Sequence, residues 1–254
     1  MNGMMKTLLM TMLLAICGAS LTVDAQVMKA ADLERYAKNR YGDKWVDAAM
    51  TLAGDMKFDK NESLTYQEVI QAPGKTKQQL YLMLNYWATA TFKDKQAITL
   101  NDKEDGCIII SSTLDAIADH TGTLYRYIVS ITPVIRVDIK DGKVRVTYTV
   151  QNYDVVKVES GGWLGGLTNT DSKDHNRNKD VYADGKRMNA DKTDRRLYDE
   201  QWEIVRHYPF VEKDQRKRTC SKALVMTHAY SNAIMDKIEE AVKNGLIGNE
   251  DDNW

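Results

Sequence analysis

The residues that could do chemistry are scattered, and the first pattern to test is Pro73-Gly74-Lys75-Thr76. A strand, then Gly-Lys-Thr, then a helix is how a phosphate-binding loop is placed, because backbone amides and the lysine converge on the phosphates. That loop also needs a glycine five residues before Gly74, where this chain has Val69. Without it there is no amide cradle, so the four residues read as a strand stop followed by a helix cap. A second pattern, Asp174-His175-Asn176-Arg177-Asn178-Lys179-Asp180, sets oxygen side chains at every second position, as in the first half of a calcium loop. An EF-hand wants glycine where Lys179 stands and a carboxylate where Gly185 stands. That excludes the EF-hand and leaves a looser calcium site or a solvated polar loop.

Four histidines, His120, His175, His207 and His228, fall at no metal-binding spacing, and His228 reads as a hydrogen-bonded residue at the edge of a helix stripe. Ser160-Gly161-Gly162-Trp163-Leu164-Gly165-Gly166 is a glycine-rich hinge without the setting of a nucleophile elbow. A glycosidase needs only two carboxylates correctly separated in space, and the sequence picks out no such pair. Lys213, Arg216, Lys217 and Arg218 form a basic cluster, which in an exported protein is usually a solvated face. Trp163 and Tyr182 belong to no apolar stripe and could offer an aromatic surface to sugar or peptide. No catalytic, cofactor-binding or metal residue is assigned, and no cofactor is implied.

With Lys+Arg 35 against Asp+Glu 36 in 254 residues, the net charge of -1 gives no global attraction to nucleic acid or anionic lipid. The N-terminus has the form of a targeting segment: Lys6, an apolar run from Leu8 to Cys17 too short to span a membrane, then Val23-Asp24-Ala25. Cleavage is expected after Ala25. A lipid on Cys17 would tether the chain, but Ile16 stands where the acylation motif needs Gly, Ala or Ser. The remaining cysteines, Cys107 and Cys220, could bridge sheet to helix in an oxidising compartment. The alternative, and the favoured reading, is two separate buried thiols behaving as small hydrophobes, and with no C-x-x-C neighbour neither redox nor zinc chemistry is indicated.

The elements that must position these residues read most clearly around Asp141-Gly142. Counting outward from that two-residue turn, Ile139 faces Val144, Val137 faces Val146 and Ile135 faces Tyr148, so one hairpin face is wholly apolar. The opposite face pairs Asp138 with Arg145 and Arg136 with Thr147, and is expected to be wet. Ahead of it, Met28 to Met56 reads as two helices broken at Gly42, with Asp43 capping the second. Leu64 to Ala72 reads as a strand, and Thr76 with Gln79 as a capping box for a helix burying Leu80, Met83, Leu84, Trp87 and Thr91. Short strands follow at Ile98 to Leu100 and Cys107 to Thr113, and Pro133 should split the run from Tyr125 to Ile139 into two. Beyond Tyr153 the alternation dissolves. Leu197 to Val205 suggests a helix, and a last helix runs from Thr219 to Asn244 with Leu224, Ser231, Met235, Ile238 and Val242 on one stripe and Gly245 as its cap.

The core resembles a family of exported Bacteroidetes proteins, the domain of unknown function 4468 family. The resemblance rests on Val69-Ile70-Gln71-Ala72-Pro73-Gly74, the helix with Leu80, Tyr81 and Trp87, the Ile98 to Ile110 hairpin, and the run from Val134 to Val146. It implies a TATA-binding-protein-like fold for about Leu64 to Tyr153 and carries no active-site residue. A fold name gives no warrant for DNA binding.

The fold expected is therefore α+β, an antiparallel sheet in the order β-α-β-β-β-β-α with helices on one face, plus N-terminal helices. The chain divides into a signal peptide (1–25), an N-terminal helical segment (26–60), the core (61–157), a long polar Gly/Asn/Asp-rich loop (158–193), C-terminal helices packing on the core (194–248) and an acidic tail (249–254). The function expected is that of an exported, non-catalytic binding or scaffolding module of the cell envelope, in the periplasm or at the cell surface. Its partner would be a protein or a glycan rather than nucleic acid, and membrane association would come only through Cys17. The alternative is a periplasmic hydrolase acting on glycans.

Overall fold

The computed structural model describes residues 28–92, 96–121, 125–159, 181–183, 186–188, 197–206 and 215–245, with the side chains of 181–188 and 215–218 left aside. In chain order the elements are α1 (Ala30–Tyr41), a 3-10 turn (Trp45–Ala48), α2 (Ala49–Gly54), β1 (Leu64–Gln71), α3 (Lys77–Thr91), β2 (Ile98–Asp102), β3 (Cys107–Ser111), β4 (Leu114–Thr121), β5 (Tyr125–Ile131), β6 (Val134–Lys140), β7 (Lys143–Val150) and β8 (Asn152–Glu159). A short hairpin of β9 (Val181–Ala183) and β10 (Lys186–Met188) follows, then β11 (Leu197–Glu203), a 3-10 turn (Ile204–Arg206) and α4 (Gln215–Asn244).

The hairpin at Asp141-Gly142 forms in the expected register, with Ile139 opposite Val144, Val137 opposite Val146 and Ile135 opposite Tyr148. Gly142 takes a φ of 71°, which a β-carbon would resist. All six apolar side chains are 2% exposed or less. At about 1.5 to 3 kcal/mol each, their burial fixes which way the ribbon faces, because a slip of one residue would invert it. Around this pair, β1, β7, β6, β3 and β2 stand in that order in a five-stranded antiparallel sheet. With α3 after β1 and α4 closing the chain, it carries the expected β-α-β-β-β-β-α order. The fold is mixed α+β with antiparallel sheets.

A second sheet of four strands, β11-β8-β5-β4, departs from the single sheet expected. Pro133 does separate two strands, but the break also sends them to different sheets: β5 pairs with β4 and β8, whereas β6 pairs with β3 and β7. Strand β4 was not expected. Ala116, with a φ of 53°, interrupts its alternation at a register shift between Leu114 and Ala118. The pattern does not dissolve after Tyr153 either: β8 continues to Glu159, so the 158–193 segment begins inside a strand and holds the β9–β10 hairpin. Residues Leu197 to Glu203 are strand rather than helix. Tyr198, Glu200 and Trp202 alternate against Lys157, Val155 and Tyr153 of β8, and ladder pairing overrides a spacing that also fits a helix.

The covering layer is α4, joined by α1, α2 and α3. At 30 residues, or about 45 Å, it is long enough to run beneath both sheets. Its expected stripe of Leu224, Ser231, Met235, Ile238 and Val242 is buried, and so are Ala223, Val225, Met226, Tyr230 and Ile234, because sheets and N-terminal helices enclose it from several sides. On α3 the buried set is Leu80, Tyr81, Leu84, Trp87 and Ala88 rather than one including Met83 and Thr91, so Met83 turns toward the surface. Thr76 forms the expected capping box with Gln79. Asp43 caps nothing; Lys44 precedes the 3-10 turn without a side-chain cap.

Candidate functional site

The face of the five-stranded sheet opposite the helices is open. Strand side chains alternate, so the registers place Ile109, Arg136, Thr147 and Gln67 in one row across it. Cys107, Asp138, Arg145 and Val69 form the next row, and Ser111, Val134, Thr149 and Thr65 the row on the other side. Val69 (49%), Leu100 (44%) and Val134 (39%) are exposed aliphatics at its margins. Neither N-terminal helix lies over it: α1 and α2 pack on α4. Arg136 and Arg145 were legible as residues of a wet face. Leu100 and Ile109 were not, because Cys107-Ile108-Ile109-Ile110 is apolar on both parities and hides which side faces out.

Two arginines grip one carboxylate at the centre of this face. Arg136 donates from Nε to Asp138 Oδ1 at 2.9 Å and holds its Nη2 in ion-pair contact with the same oxygen at 2.9 Å, while Arg145 donates from Nε and Nη2 to Oδ2 at 3.1 and 2.8 Å. Burial alone would raise the Asp138 carboxyl, but the hydrogen bonds and charges of the two arginines outweigh it and hold the group below its usual value. One anion thus orders two guanidiniums, each about half exposed and each with Nη1 not spent on Asp138. Lys140 and Lys143 pair across the hairpin end on the same face. Strands β6 and β7 therefore expose four cations around one carboxylate in a chain of net charge -1. Cys107 sits opposite Asp138, where burial, partly offset by Arg136, pushes its thiol up. A raised thiol is a poor nucleophile.

The Gly74-Lys75-Thr76 stretch offers nothing to a phosphate. Thr76 N–H donates to Gln79 Oε1 at 2.9 Å, and Thr76 Oγ1 accepts from Gln79 N–H at 3.3 Å. The Lys77 amide donates to the Asp141 carboxylate at 2.6 Å. The helix N-terminus is filled by the protein's own anion, supplied by the hairpin turn. Lys75 Nζ donates to the carbonyl of Val242 in the last turn of α4. On the outer side of α3 lies a groove of about 640 Å³, lined by Lys75, Gln79, Leu82, Met83, Asn85, Tyr86 and Thr89. Its lining gives two amides, the hydroxyls of Tyr86 and Thr89, an ammonium and apolar surface, with no carboxylate or histidine.

In the four-stranded sheet several polar groups pair with one another. Lys157 Nζ sits 4.0 Å from the centre of the Tyr125 ring and 3.6 Å from Glu200, which also accepts from Trp202 Nε1 at 2.8 Å. Tyr198 donates to Glu159 at 3.0 Å. Among the described residues no three His, Cys, Asp or Glu side chains gather as a metal site. His120 stands in β4, and His228 packs 5.1 Å from the Tyr66 ring with burial pushing its pKa down. Cys107 and Cys220 are buried free thiols. The possible calcium loop at Asp174 to Asp180, Trp163, His175, His207, Cys17 and the acidic tail fall outside the described residues, as do the side chains of Tyr182 and of the Lys213 to Arg218 cluster.

Residues 66–154 match the family described as a domain of unknown function (DUF4468) with TBP-like fold, within one or two residues of the span on which the sequence resemblance rested. A crystallised TBP-like protein from Parabacteroides distasonis is similar at 13% identity and a TM-score of 0.44, over 73% of this chain and 96% of its own. A DUF4468 family protein from Bacteroides ovatus is similar at 13% identity and a TM-score of 0.41, over 76% of this chain and 92% of its own. No curated protein matches the chain.

Proposed function

We propose that this chain is an exported, non-catalytic binding module of the cell envelope that engages a protein or glycan ligand through the open face of its five-stranded sheet. One observation carries the reading: among the described residues the helices gather on the opposite side, leaving Val69, Leu100 and Val134 exposed around the Arg136–Asp138–Arg145 centre. A flat face with ordered guanidiniums and rows of Thr and Gln can meet carbonyl, carboxylate or sugar oxygens, and the aliphatics beside them add apolar contact. The N-terminal pattern ending at Ala25 supports export. Among the described residues no helix is long and apolar enough to cross a membrane. Near-neutral net charge gives no global attraction to nucleic acid.

The test is a binding screen of the purified protein against cell-envelope glycans and peptides, repeated with variants on two surfaces. Thr147→Trp, which places bulk at the middle of the face, and Arg136→Ala should each weaken binding by at least about tenfold, the equivalent of 1.4 kcal/mol. Leu82→Asp, in the groove on α3, should leave binding unchanged. Ligands that bind the face variants as tightly as the parent would sink the proposal. Turnover of a glycan would replace it with the hydrolase alternative.

A further inference from the structure

Strand β1 is an edge of the five-stranded sheet, and beyond the start that Lys57 and Phe58 cover it carries one device against edge pairing, the charge of Glu68 on the core-side parity. Natural edges are blunted by shortness, lysine, proline or a bulge. At the other edge, β2 has 5 residues and a register irregularity between Ile98 and Leu100. Strand β1 has 8 residues in unbroken register with β7, no lysine or proline, and one charge, Glu68. Its outward backbone groups can be identified. The Thr65 amide donates to Lys57 O at 2.8 Å, away from β7, whereas the Ala72 amide donates to Gly142 O at 2.8 Å, on the β7 side. Alternation then points the N–H and C=O of Gln67, Val69 and Gln71 outward along with those of Thr65. The chain covers the start of this edge itself, through Lys57 and the Phe58 to Leu64 bridge. Beyond it, Gln67, Glu68, Val69 and Gln71 are all exposed.

We infer that this edge pairs antiparallel with the same edge of a second copy of the chain, on a two-fold axis at Val69. Independently of the function proposed above, self-complementarity selects that occupant and that register. With Val69 on the axis, Val69 meets Val69 and Gln67 meets Gln71 in both directions, so every outward N–H and C=O from Gln67 to Gln71 finds a partner. Glu68 then lies beside Ile70 of the second copy. An axis at Glu68 would oppose like charges directly. One at Gln67 would set Val69 against Thr65, whose amide is already given to Lys57. One at Ile70 would set Gln67 against Pro73, which has no donor. The pairing joins two five-stranded sheets edge to edge and brings their open faces to the same side.

Sedimentation of the full mature chain tests this. The parent should sediment at twice the mass of one chain. Val69→Pro removes an edge donor without touching a bond to β7, because that amide faces outward, and should give a monomer with an unchanged far-ultraviolet spectrum. Val69→Cys should form a reducible covalent dimer on oxidation, since hydrogen-bonded partners stand about 5.5 Å apart between Cα atoms, within disulfide reach. Glu68→Cys should not, because the two Glu68 positions lie diagonally across the axis. A parent that stays monomeric at the highest concentration reached, a dimer that survives Val69→Pro, or equal cross-linking at both positions would each overturn the inference.

Discussion

The two sheets share one helix, α4, yet only the five-stranded sheet keeps a face free. In β6 and β7 burial alternates strictly, with Ile135, Val137, Ile139, Val144, Val146 and Tyr148 inside and Arg136, Lys140, Lys143 and Arg145 outside. In the four-stranded sheet both faces carry apolar groups. Tyr127, Val129 and Val155 join the main core, while Ile128 and Val158 form a second cluster on the other face with Ala116, Val156 and Leu197 beside them. Its ionic groups pair off as well, Lys157 with Glu200, and Arg126 with Asp119. The five-stranded sheet instead shares one carboxylate between two arginines and leaves donors over. A sheet with apolar surface on both sides is scaffold. One whose second side stays polar, exposed and edged with aliphatics has surface left to bind with.

The largest test of that contrast compares three truncations by chemical denaturation. Ile139→Ala, under the five-stranded sheet, should cost about 2 to 5 kcal/mol, and Ile128→Ala, in the small cluster of the other sheet, about 2 kcal/mol at the low end of that range. Val134→Ala, on the open face, should cost less than about 0.5 kcal/mol. A Val134 loss as large as that at Ile139 would mean that the face is covered, and the contrast would fail. Thr76→Ala should cost about 1 kcal/mol by removing the cap that seats α3 beside the hairpin turn.

Smaller effects separate the open face from the shared core by pH. The folded Asp138 carboxyl lies below the ordinary 3.8, so its contribution is present above that value and is lost as pH falls through the folded value. Asp138→Asn should therefore cost under about 1 kcal/mol at neutral pH and nothing in strong acid. His228 differs in window but not in sign. Burial, assisted by Arg40, holds its pKa below 6.5, so the unfolded chain takes the proton first and stability falls as pH drops below 6.5. His228→Gln should remove that slope while leaving the one due to Asp138, as denaturation curves from pH 7 to 3 would show. The smallest effect belongs to Tyr148, whose hydroxyl is fully buried without a hydrogen-bond partner. Tyr148→Phe should be neutral or slightly stabilising in a thermal melt, because it removes an unpaid desolvation cost.

Which features were readable from the sequence follows from the range of the interactions that set them. The Asp141-Gly142 turn, the Thr76 to Gln79 capping box and the break at Pro133 are decided within a few residues, and all three stand where the pattern put them. What lay across the Pro133 break was not local: β5 enters a second sheet because β8 and β11 are there to pair with it, and β11 comes from a segment whose spacing also suits a helix. Strand β4 was hidden by its bulge, and the enclosure of α4 by elements far away in the chain. The sequence by itself determined that Arg136, Asp138 and Arg145 share a face opposite to Ile135, Val137 and Ile139, since the two-residue period of a strand and one tight turn suffice for that. Only the tertiary structure decided that this face stays open, that Val69 and Leu100 border it, and that β1 ends the sheet. Those outcomes depend on where α1, α2 and the inserted strands pack, and long-range burial rather than local geometry settles that.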